Sequence, residues 1–159
     1  MNTTLENKVL GIENEEGEEF KYIVISTKDK RFFVGLNPRG IGGHKDMHRL
    51  LEDFAEDRDP SKTLKSLNYT QSVYYETRPI LMQVFNEVAK LAKDYLRYDS
   101  VKGGKYQFNR NTLKIYGSSQ DLGSVPQSVL EEFKEPISQY CQREGYPLEK
   151  IEISSEEED

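Results

Sequence analysis

The chain contains no tryptophan, only two histidines and a single cysteine, Cys141. One cysteine cannot form a disulfide within the chain, which argues against a small disulfide-stapled secreted domain and favours a reducing compartment. The longest apolar runs, such as residues 22–25, are far shorter than the roughly 20 residues of a membrane-spanning helix. The first six residues lack the basic start and apolar stretch of a signal peptide. We therefore expect a cytoplasmic protein that does not contact a membrane.

Excess positive charge is also absent, since the net charge is −6. This balance argues against non-specific binding to nucleic acid, which needs a positive field. Nine acidic residues lie in two short segments, residues 13–19 and 155–159, so the rest of the chain carries +3. We expect residues 154–159 to form a disordered acidic tail. A local cluster of basic residues nevertheless leaves nucleic-acid binding as one alternative function: Lys102, Lys105, Arg110 and Lys114.

What the chain does contain is enough apolar and aromatic material for one folded domain. Of its 159 residues, 35% are hydrophobic and seventeen are tyrosine or phenylalanine, which argues against disorder. Patterns of period two predict strands over residues 8–12, 19–26 and 31–36, around 102–104, around 109–111 and on to 116, and over 148–153. Patterns of period three and four predict helices that begin near His44, at Pro79 and after an N-cap at Ser124. The predicted fold is α/β (α+β), a mixed sheet with helices packed on it, as a single domain over residues 1–153 with an inserted or extended segment at about 57–94.

A glycine-rich loop with basic side chains lies between the third predicted strand and the helix near His44. From residue 39 to residue 45 it is Arg-Gly-Ile-Gly-Gly-His-Lys. Glycines let backbone amides approach a bound group, and a helix N-terminus adds partial positive charge. Together with the side chains of Arg39 and His44, the amides at Gly42 and Gly43 predict an anion site, most naturally for phosphate. The spacing is not that of a P-loop, and glycines that serve turn geometry alone are the competing interpretation.

A second loop of small residues, from Gly117 to Gly123, joins a predicted strand to a predicted helix. Its sequence is Gly-Ser-Ser-Gln-Asp-Leu-Gly. Hydroxyl groups and exposed amides in such a loop can hold an oxyanion or a phosphate. An ordinary strand-to-helix turn explains the same composition.

The two histidines, His44 and His48, share one helical face, which is a spacing that can suit a metal. No further histidine or cysteine cluster supplies a third ligand, so we expect neither a metal nor a cofactor. Cys141 falls on the apolar stripe of the last helix and is predicted to be a core residue rather than a nucleophile.

Four segments, read in order, carry a pattern beyond composition. They are residues 20–25 (Phe-Lys-Tyr-Ile-Val-Ile), Arg39-Gly40 with residues 44–47 (His-Lys-Asp-Met), residues 103–105 (Gly-Gly-Lys), and residues 113–123 (Leu-Lys-Ile-Tyr-Gly-Ser-Ser-Gln-Asp-Leu-Gly). In this order they resemble the phosphohistidine phosphatase family, which includes the Janus and Ocnus proteins. The resemblance covers about half of the chain, and the last segment is its most specific part.

The resemblance implies a phosphatase that needs no metal and acts on a phosphorylated protein or another phosphoramidate. Carried over by motif, His44 would be the catalytic nucleophile or general base. The positive groups that neutralise the phosphate would be Lys21, Arg39 and Lys105. The group that cradles it would be Ser119 with the backbone amides of Gln120 and Asp121. A neutral imidazole is a competent nucleophile near pH 7, so this set of residues is chemically coherent.

Two alternatives to this assignment remain. If the family's helix corresponds to residues 79–94 instead, its histidine position falls near Arg78 and the chain has no nucleophile there. The second alternative is a non-enzymatic interaction module on a similar fold, which would act through residues 57–94 and the acidic tail. The aromatic run around residues 69–75 would then contact a protein partner.

Overall fold

The structure is a computed structural model. It describes the backbone of residues 6–38, 44–66, 79–96, 100–117, 119 and 122–154, together with their side chains except at 36–38, 44–47, 64–66 and 79–81. The strands are β1 (Glu6–Ile12), β2 (Glu19–Ser26), β3 (Lys30–Pro38), β4 (Val101–Asn109), β5 (Thr112–Tyr116) and β6 (Lys150–Ile153). The helices are α1 (His44–Ala55), α2 (Ser61–Ser66), α3 (Pro79–Leu91), α4 (Gln127–Glu132) and α5 (Lys134–Glu144), and a 3-10 turn covers Lys93–Tyr95.

The six strands form one mixed sheet in the order β1-β3-β2-β4-β5-β6. The two outermost pairs, β1 with β3 and β5 with β6, are parallel, and the three pairs between them are antiparallel. The turn at residues 28–30 predicts that residues 31–36 return as the partner strand of 19–26, and the β2–β3 hairpin confirms this pairing. The acidic residues between Ile12 and Glu19 connect β1 to β2 along the chain, although β3 lies between these two strands in the sheet.

One face of the sheet, which we call the apolar face, is buried beneath α4 and α5. Its strand residues alternate with those of the other face, as the period of a strand requires. Phe33 is fully buried there and stacks on Tyr22 at a ring-centroid distance of 4.6 Å. Helix α5 contributes Ile137 and Cys141, which are also fully buried. This face is one continuous hydrophobic core.

The opposite face, which we call the mixed face, has a core over only part of its area. There α1 and α3 pack on Ile23, Ile25 and Val101. Phe32 and Val34 of β3 belong to the same cluster. On the rest of this face no described helix packs on the sheet, and the side chains are polar. We call this region the open half of the mixed face; it consists of Glu19, Lys21, Lys105, Gln107, Asn109, Thr112, Lys114, Tyr116, Lys150 and Glu152.

The predicted single α/β domain with helices packed on a mixed sheet is confirmed. Among the described residues, none of the helices has both the length and the apolar content that a bilayer crossing requires.

The prediction of an N-cap at Ser124 is wrong. The helix begins two residues later than that cap implies, with Pro126 as the N-cap residue of α4 and no side-chain cap. The residue before a proline is kept out of the α region, so Val125 cannot be helical. Pro136 has no N–H to donate to the carbonyl of Glu132, so one helical hydrogen bond is missing there. The helix is interrupted at Phe133, between α4 and α5.

Two further predictions need correction. The strand expected around residues 109–111 ends at Asn109, because Arg110 and Asn111 both have positive φ and form the two-residue turn of the β4–β5 hairpin. The three- and four-residue spacing of apolar residues in the Pro79 helix includes Leu91 and predicts that it is buried, but Leu91 is exposed.

Candidate functional site

The site is built on a row of residues that lie side by side across four strands. Lys21 of β2 is the partner of Lys105 of β4 on one side and of Asn37 of β3 on the other. Lys105 is in turn the partner of Tyr116 of β5. Lys21 shares its face with Ile23, and Lys105 shares its face with Val101, so both lysines lie on the mixed face. The register therefore brings together two lysines that are 84 positions apart in the sequence.

Tyr116 and Glu19 extend this row, and sequence reasoning did not include either in the site. The Tyr116 hydroxyl donates a hydrogen bond to the Glu19 carboxylate. The ammonium of Lys114 lies 5.5 Å from the centre of the Tyr116 ring, which is cation–π distance. Glu19 could have been found from the sequence, because side chains alternate along a strand and Glu19 and Lys21 therefore lie on the same face of the sheet. The result is a polar surface with more positive than negative groups.

Ser119 lies in the loop that follows β5 and is fixed by three hydrogen bonds. Its N–H donates to the Gly103 carbonyl at 3.0 Å, and its own carbonyl accepts from the Gly123 N–H at 2.8 Å. Its hydroxyl oxygen accepts from the Leu122 N–H at 3.1 Å. The Gly103 N–H donates to the Gly123 carbonyl at 3.1 Å, so both ends of the loop are anchored to β4. The hydroxyl thus stabilises the loop itself, and Ser119 is buried.

The loop and the lysine row are neighbours in space. Gly103, the anchor of the loop, is two residues from Lys105 on the same strand and the same face. The stem of Lys105 runs beside Gly117, where an added Cβ atom would lie 3.7 Å from Lys105 Cδ. Gly117 has a φ of +75°, a conformation that glycine adopts without strain and that turns the chain sharply out of β5. The structure therefore places Lys21, Lys105 and the loop of Ser119 next to one another, and that they bind phosphate stays a prediction.

Several predicted site residues lie outside the described part of the chain. These are Arg39, Gly42, Gly43, Gln120 and Asp121. Pro38, which directly precedes Arg39, pairs with Phe20 beside Lys21, so the chain enters this loop from the row itself. His44 is the first residue of α1, but its side chain is not among those described. That its imidazole lies close to Lys21 and Lys105 stays a prediction.

The second histidine, His48, is held inside the structure. Its side chain is buried, and its Nε2 lies 2.6 Å from the Leu96 carbonyl oxygen. Its Nδ1 lies 3.1 Å from the Glu52 carboxylate. Both ring nitrogens therefore face oxygen atoms of the protein, and His48 joins α1 to the end of the α3 segment. It is a structural residue with no nitrogen directed at a ligand.

Cys141 behaves as a core residue, as predicted. It is fully buried among the side chains of the apolar face, and burial raises the pKa of its thiol to about 11. A thiol with so high a pKa is a poor nucleophile at neutral pH. In the part of the chain that the structure describes, no group of three or more His, Cys, Asp or Glu side chains is arranged to hold a metal ion. The expectation of a metal-free site stays a prediction.

No protein-family model matches the chain, and no curated protein matches it either. The resemblance to the phosphohistidine phosphatases therefore stays a prediction that rests on the four sequence segments.

Proposed function

We propose that the protein binds phosphoryl groups at Lys21, Lys105 and the loop of Ser119, and that it hydrolyses phosphoramidates with His44 as the nucleophile. The observation that carries the proposal is the pairing of Lys21 with Lys105 on one face of the sheet. The substrate would be a phosphorylated protein or a smaller phosphoramidate in the cytoplasm, and the reaction would need no metal.

The electrostatics of the pair support an anion at this position. Directly opposed residues of an antiparallel pair have Cβ atoms about 4.5–5.5 Å apart, and like charges so placed are destabilising. An oxyanion beside the two lysines can accept charge-assisted hydrogen bonds from their ammonium groups. Glu19 contributes one carboxylate to the same face, but its oxygen accepts the Tyr116 hydroxyl. Because β4 lies between β2 and β5, this hydrogen bond crosses the strand that carries Lys105.

The proposed chemistry depends on His44 because no other histidine is suited to it. The chain has two histidines, and His48 is engaged at both nitrogens. In the proposed reaction one ring nitrogen of the neutral His44 imidazole attacks phosphorus and the P–N bond of the substrate breaks. The proton on the other ring nitrogen of His44 passes to the leaving nitrogen. Water then hydrolyses the phosphohistidine and regenerates the imidazole. The lysines stabilise negative charge on the transferring phosphoryl group.

The activity is tested by following hydrolysis of a phosphohistidine peptide by the wild-type protein, His44→Ala and His48→Ala. Loss of a nucleophile lowers the rate by orders of magnitude, whereas loss of a structural residue lowers the folded fraction but not the rate per folded molecule. Lys105→Gln should weaken substrate binding, and Lys134→Gln is its matched control, since Lys134 lies at the start of α5 and pairs with Glu131. Equal rates for wild type and His44→Ala would contradict the nucleophile assignment.

A non-enzymatic protein-interaction module on a similar fold, acting through residues 57–94 and the acidic tail, is the second candidate. Helix α3 begins at Pro79, directly after Arg78, and leads through the 3-10 turn to β4. If α3 is the helix that corresponds to the family's, the histidine position falls near Arg78, and the site would bind a phosphoryl group without cleaving it. Residues 57–94 would then be the place for a protein contact. Phosphate binding without hydrolysis of any phosphoramidate by the wild type would support this candidate.

A further inference from the structure

The end of α1 and the helix α2 enclose a groove that takes no part in the proposed hydrolysis. Helix α1 ends in a tight reversal of the chain, where Asp57 has a φ of +55°. The Asp57 N–H donates to the Phe54 carbonyl at 3.3 Å, and the Arg58 N–H donates to the Asp53 carbonyl at 2.8 Å. This pair of hydrogen bonds is a helix C-cap of the Schellman type. It places Arg58 beside Asp53 of the helix that the chain has just left.

The two carboxylates that line the groove receive hydrogen bonds from nearby residues of the chain. Asp53 is buried, and one of its oxygens accepts the Thr63 hydroxyl of α2. Its other oxygen lies 3.3 Å from the Nε of Arg58. Asp59 accepts the N–H of Ser61 at 3.0 Å and the hydroxyl of Ser61 at 2.7 Å. The contact between Asp53 and Thr63 joins α1 to α2 at the base of the groove.

Two cationic side chains of the same groove have no such partner. Arg49 precedes Asp53 by about one turn of α1, Lys62 lies in α2, and both are exposed and line the groove. Among the described residues, neither side chain has an ion-pair or hydrogen-bond partner. Four lysines elsewhere in the described chain do have carboxylate partners: Lys8, Lys90, Lys134 and Lys150. The groove therefore offers positive charge that the fold itself does not use.

We infer that this groove, of about 700 Å³, binds an acidic segment of a partner protein through Arg49, Arg58 and Lys62. Arg58 contacts Asp53 through its Nε, so its two terminal nitrogens remain to donate to a ligand. The three cations come from α1, from α2 and from the connection between the two helices. Positive groups on several elements suit a segment with several carboxylates better than one small anion. Clusters that contain arginine recognise acidic motifs in this way.

The net charge of the chain makes this local excess of positive charge selective. The charge is −6, so the molecule as a whole repels an acidic partner, and binding depends on cations that are locally unpaired. These cations are exposed, and salt screens such contacts with a Debye length of about 8 Å at physiological ionic strength. We therefore expect the affinity to fall as salt is raised. The inference does not depend on hydrolysis at His44, and it defines the charge of the partner that an interaction module would bind.

The test is a titration of the protein with a short polyglutamate peptide that is blocked at both ends. Amide chemical shifts are followed at low salt and again at high salt. At low salt we expect the amides of Asp53, Arg58 and Thr63 to shift together and to give one Kd. At high salt the same titration should give a weaker Kd.

A double variant, Arg49→Gln with Lys62→Gln, removes the two unpaired cations. The Kd for the peptide should rise about tenfold, as expected for the loss of two exposed ion pairs. The matched control removes the same charge at two exposed positions outside the groove, Lys28→Gln with Arg143→Gln. It should bind the peptide like the wild type.

Three results would overturn the inference. They are amides of the groove that do not move, an equal loss of affinity in the control variant, and shift changes confined to Lys21 and Lys105. The last result would place the peptide on the open half of the mixed face. Hydrolysis of the phosphohistidine peptide is a separate readout. Polyglutamate binding in the groove of a wild-type protein that hydrolyses no phosphoramidate would support this inference and contradict the proposed function.

Discussion

The apolar face and the open half of the mixed face are made by the same strands but serve different purposes. On the apolar face, Phe33 contacts the rings of Tyr22, Tyr106 and Phe133, and all four are fully buried. On the open half, the residues of these strands that face the other side of the sheet include lysine, glutamine and threonine, and no described helix packs against them. Folding requires the first set of side chains, because their burial is the main favourable term. It does not require the second set, so these positions are available for the binding that we propose.

The pairing of Lys21 with Lys105 sharpens this contrast. Like charges placed directly opposite each other in a sheet are mildly destabilising. A position that mildly opposes folding is a candidate for function. The comparison thus predicts that substitutions on the two faces separate cleanly, with stability lost on one and ligand affinity lost on the other.

The largest effect on stability is expected on the apolar face. Phe33→Ala removes a ring that contacts three other aromatic rings and leaves a cavity, so the free energy of unfolding should fall by about 3–5 kcal/mol. Urea unfolding measures this, with Lys105→Gln as the counterpart on the open half, where a change within about 0.5 kcal/mol is expected. Comparable losses of unfolding free energy in both variants would contradict the proposed difference between the two faces.

A smaller loss is expected at His48, which belongs to the covered part of the mixed face. His48→Ala leaves the buried carbonyl of Leu96 without its side-chain donor, so the free energy of unfolding should fall by about 1–3 kcal/mol. The hydrolysis rate per folded molecule should not change. A rate that falls in proportion to the loss in His44→Ala would show that His48 takes part in the chemistry.

Alkaline pH should weaken the apolar face in particular. Burial raises the pKa of the Cys141 thiol from its ordinary 9.0 to about 11, and burial also raises the pKa of Tyr22. The unfolded chain therefore loses these protons first. The contribution of Cys141 is fully present below pH 9 and is lost as pH rises toward 11, at up to about 1.4 kcal/mol per pH unit. Urea unfolding between pH 8 and pH 11 measures the slope. Cys141→Ala should show a shallower slope, and an identical one would contradict the assignment.

The smallest effect is expected from the acidic segment. Deletion of residues 155–159 leaves the hydrogen bond from Ser154 to Ile115 in place and removes no apolar side chain. The melting temperature should therefore stay within a few degrees of the wild-type value, which differential scanning calorimetry measures. A larger decrease would mean that residues 155–159 contribute to folding.

The elements of the fold were largely predictable because their signals are local. The alternation in β2 and the three- and four-residue spacing in α3 are visible in single segments. The start of α4 was missed although Pro126 gave the signal, since a proline excludes helix at the preceding residue. The β4–β5 turn lacks the Asn-Gly or Asp-Gly dipeptide typical of such turns, and it places Arg110 at positive φ. That turn had no clear sequence signal.

The site was predictable only in part, because it depends on pairing between distant strands. The resemblance selected Lys21, Lys105 and Ser119, but no local pattern predicts that Lys21 faces Lys105. The bond between Tyr116 and Glu19 joins residues 97 positions apart and has no sequence signature. The hydroxyl of Ser119 was expected to hold phosphate, yet it accepts a backbone N–H within its own loop. Such contacts follow from strand order and register, which local patterns do not determine.

Titration with inorganic phosphate, followed by amide chemical shifts at constant ionic strength, tests the central claim most directly. The amides of Lys21, Lys105 and Ser119 should move together with one Kd. Lys105→Gln should weaken that Kd about tenfold or more, as expected for the loss of a charged hydrogen bond, while Lys134→Gln should not change it. If these amides do not move at millimolar phosphate, or if both variants bind like the wild type, the open half of the mixed face is not a phosphate site.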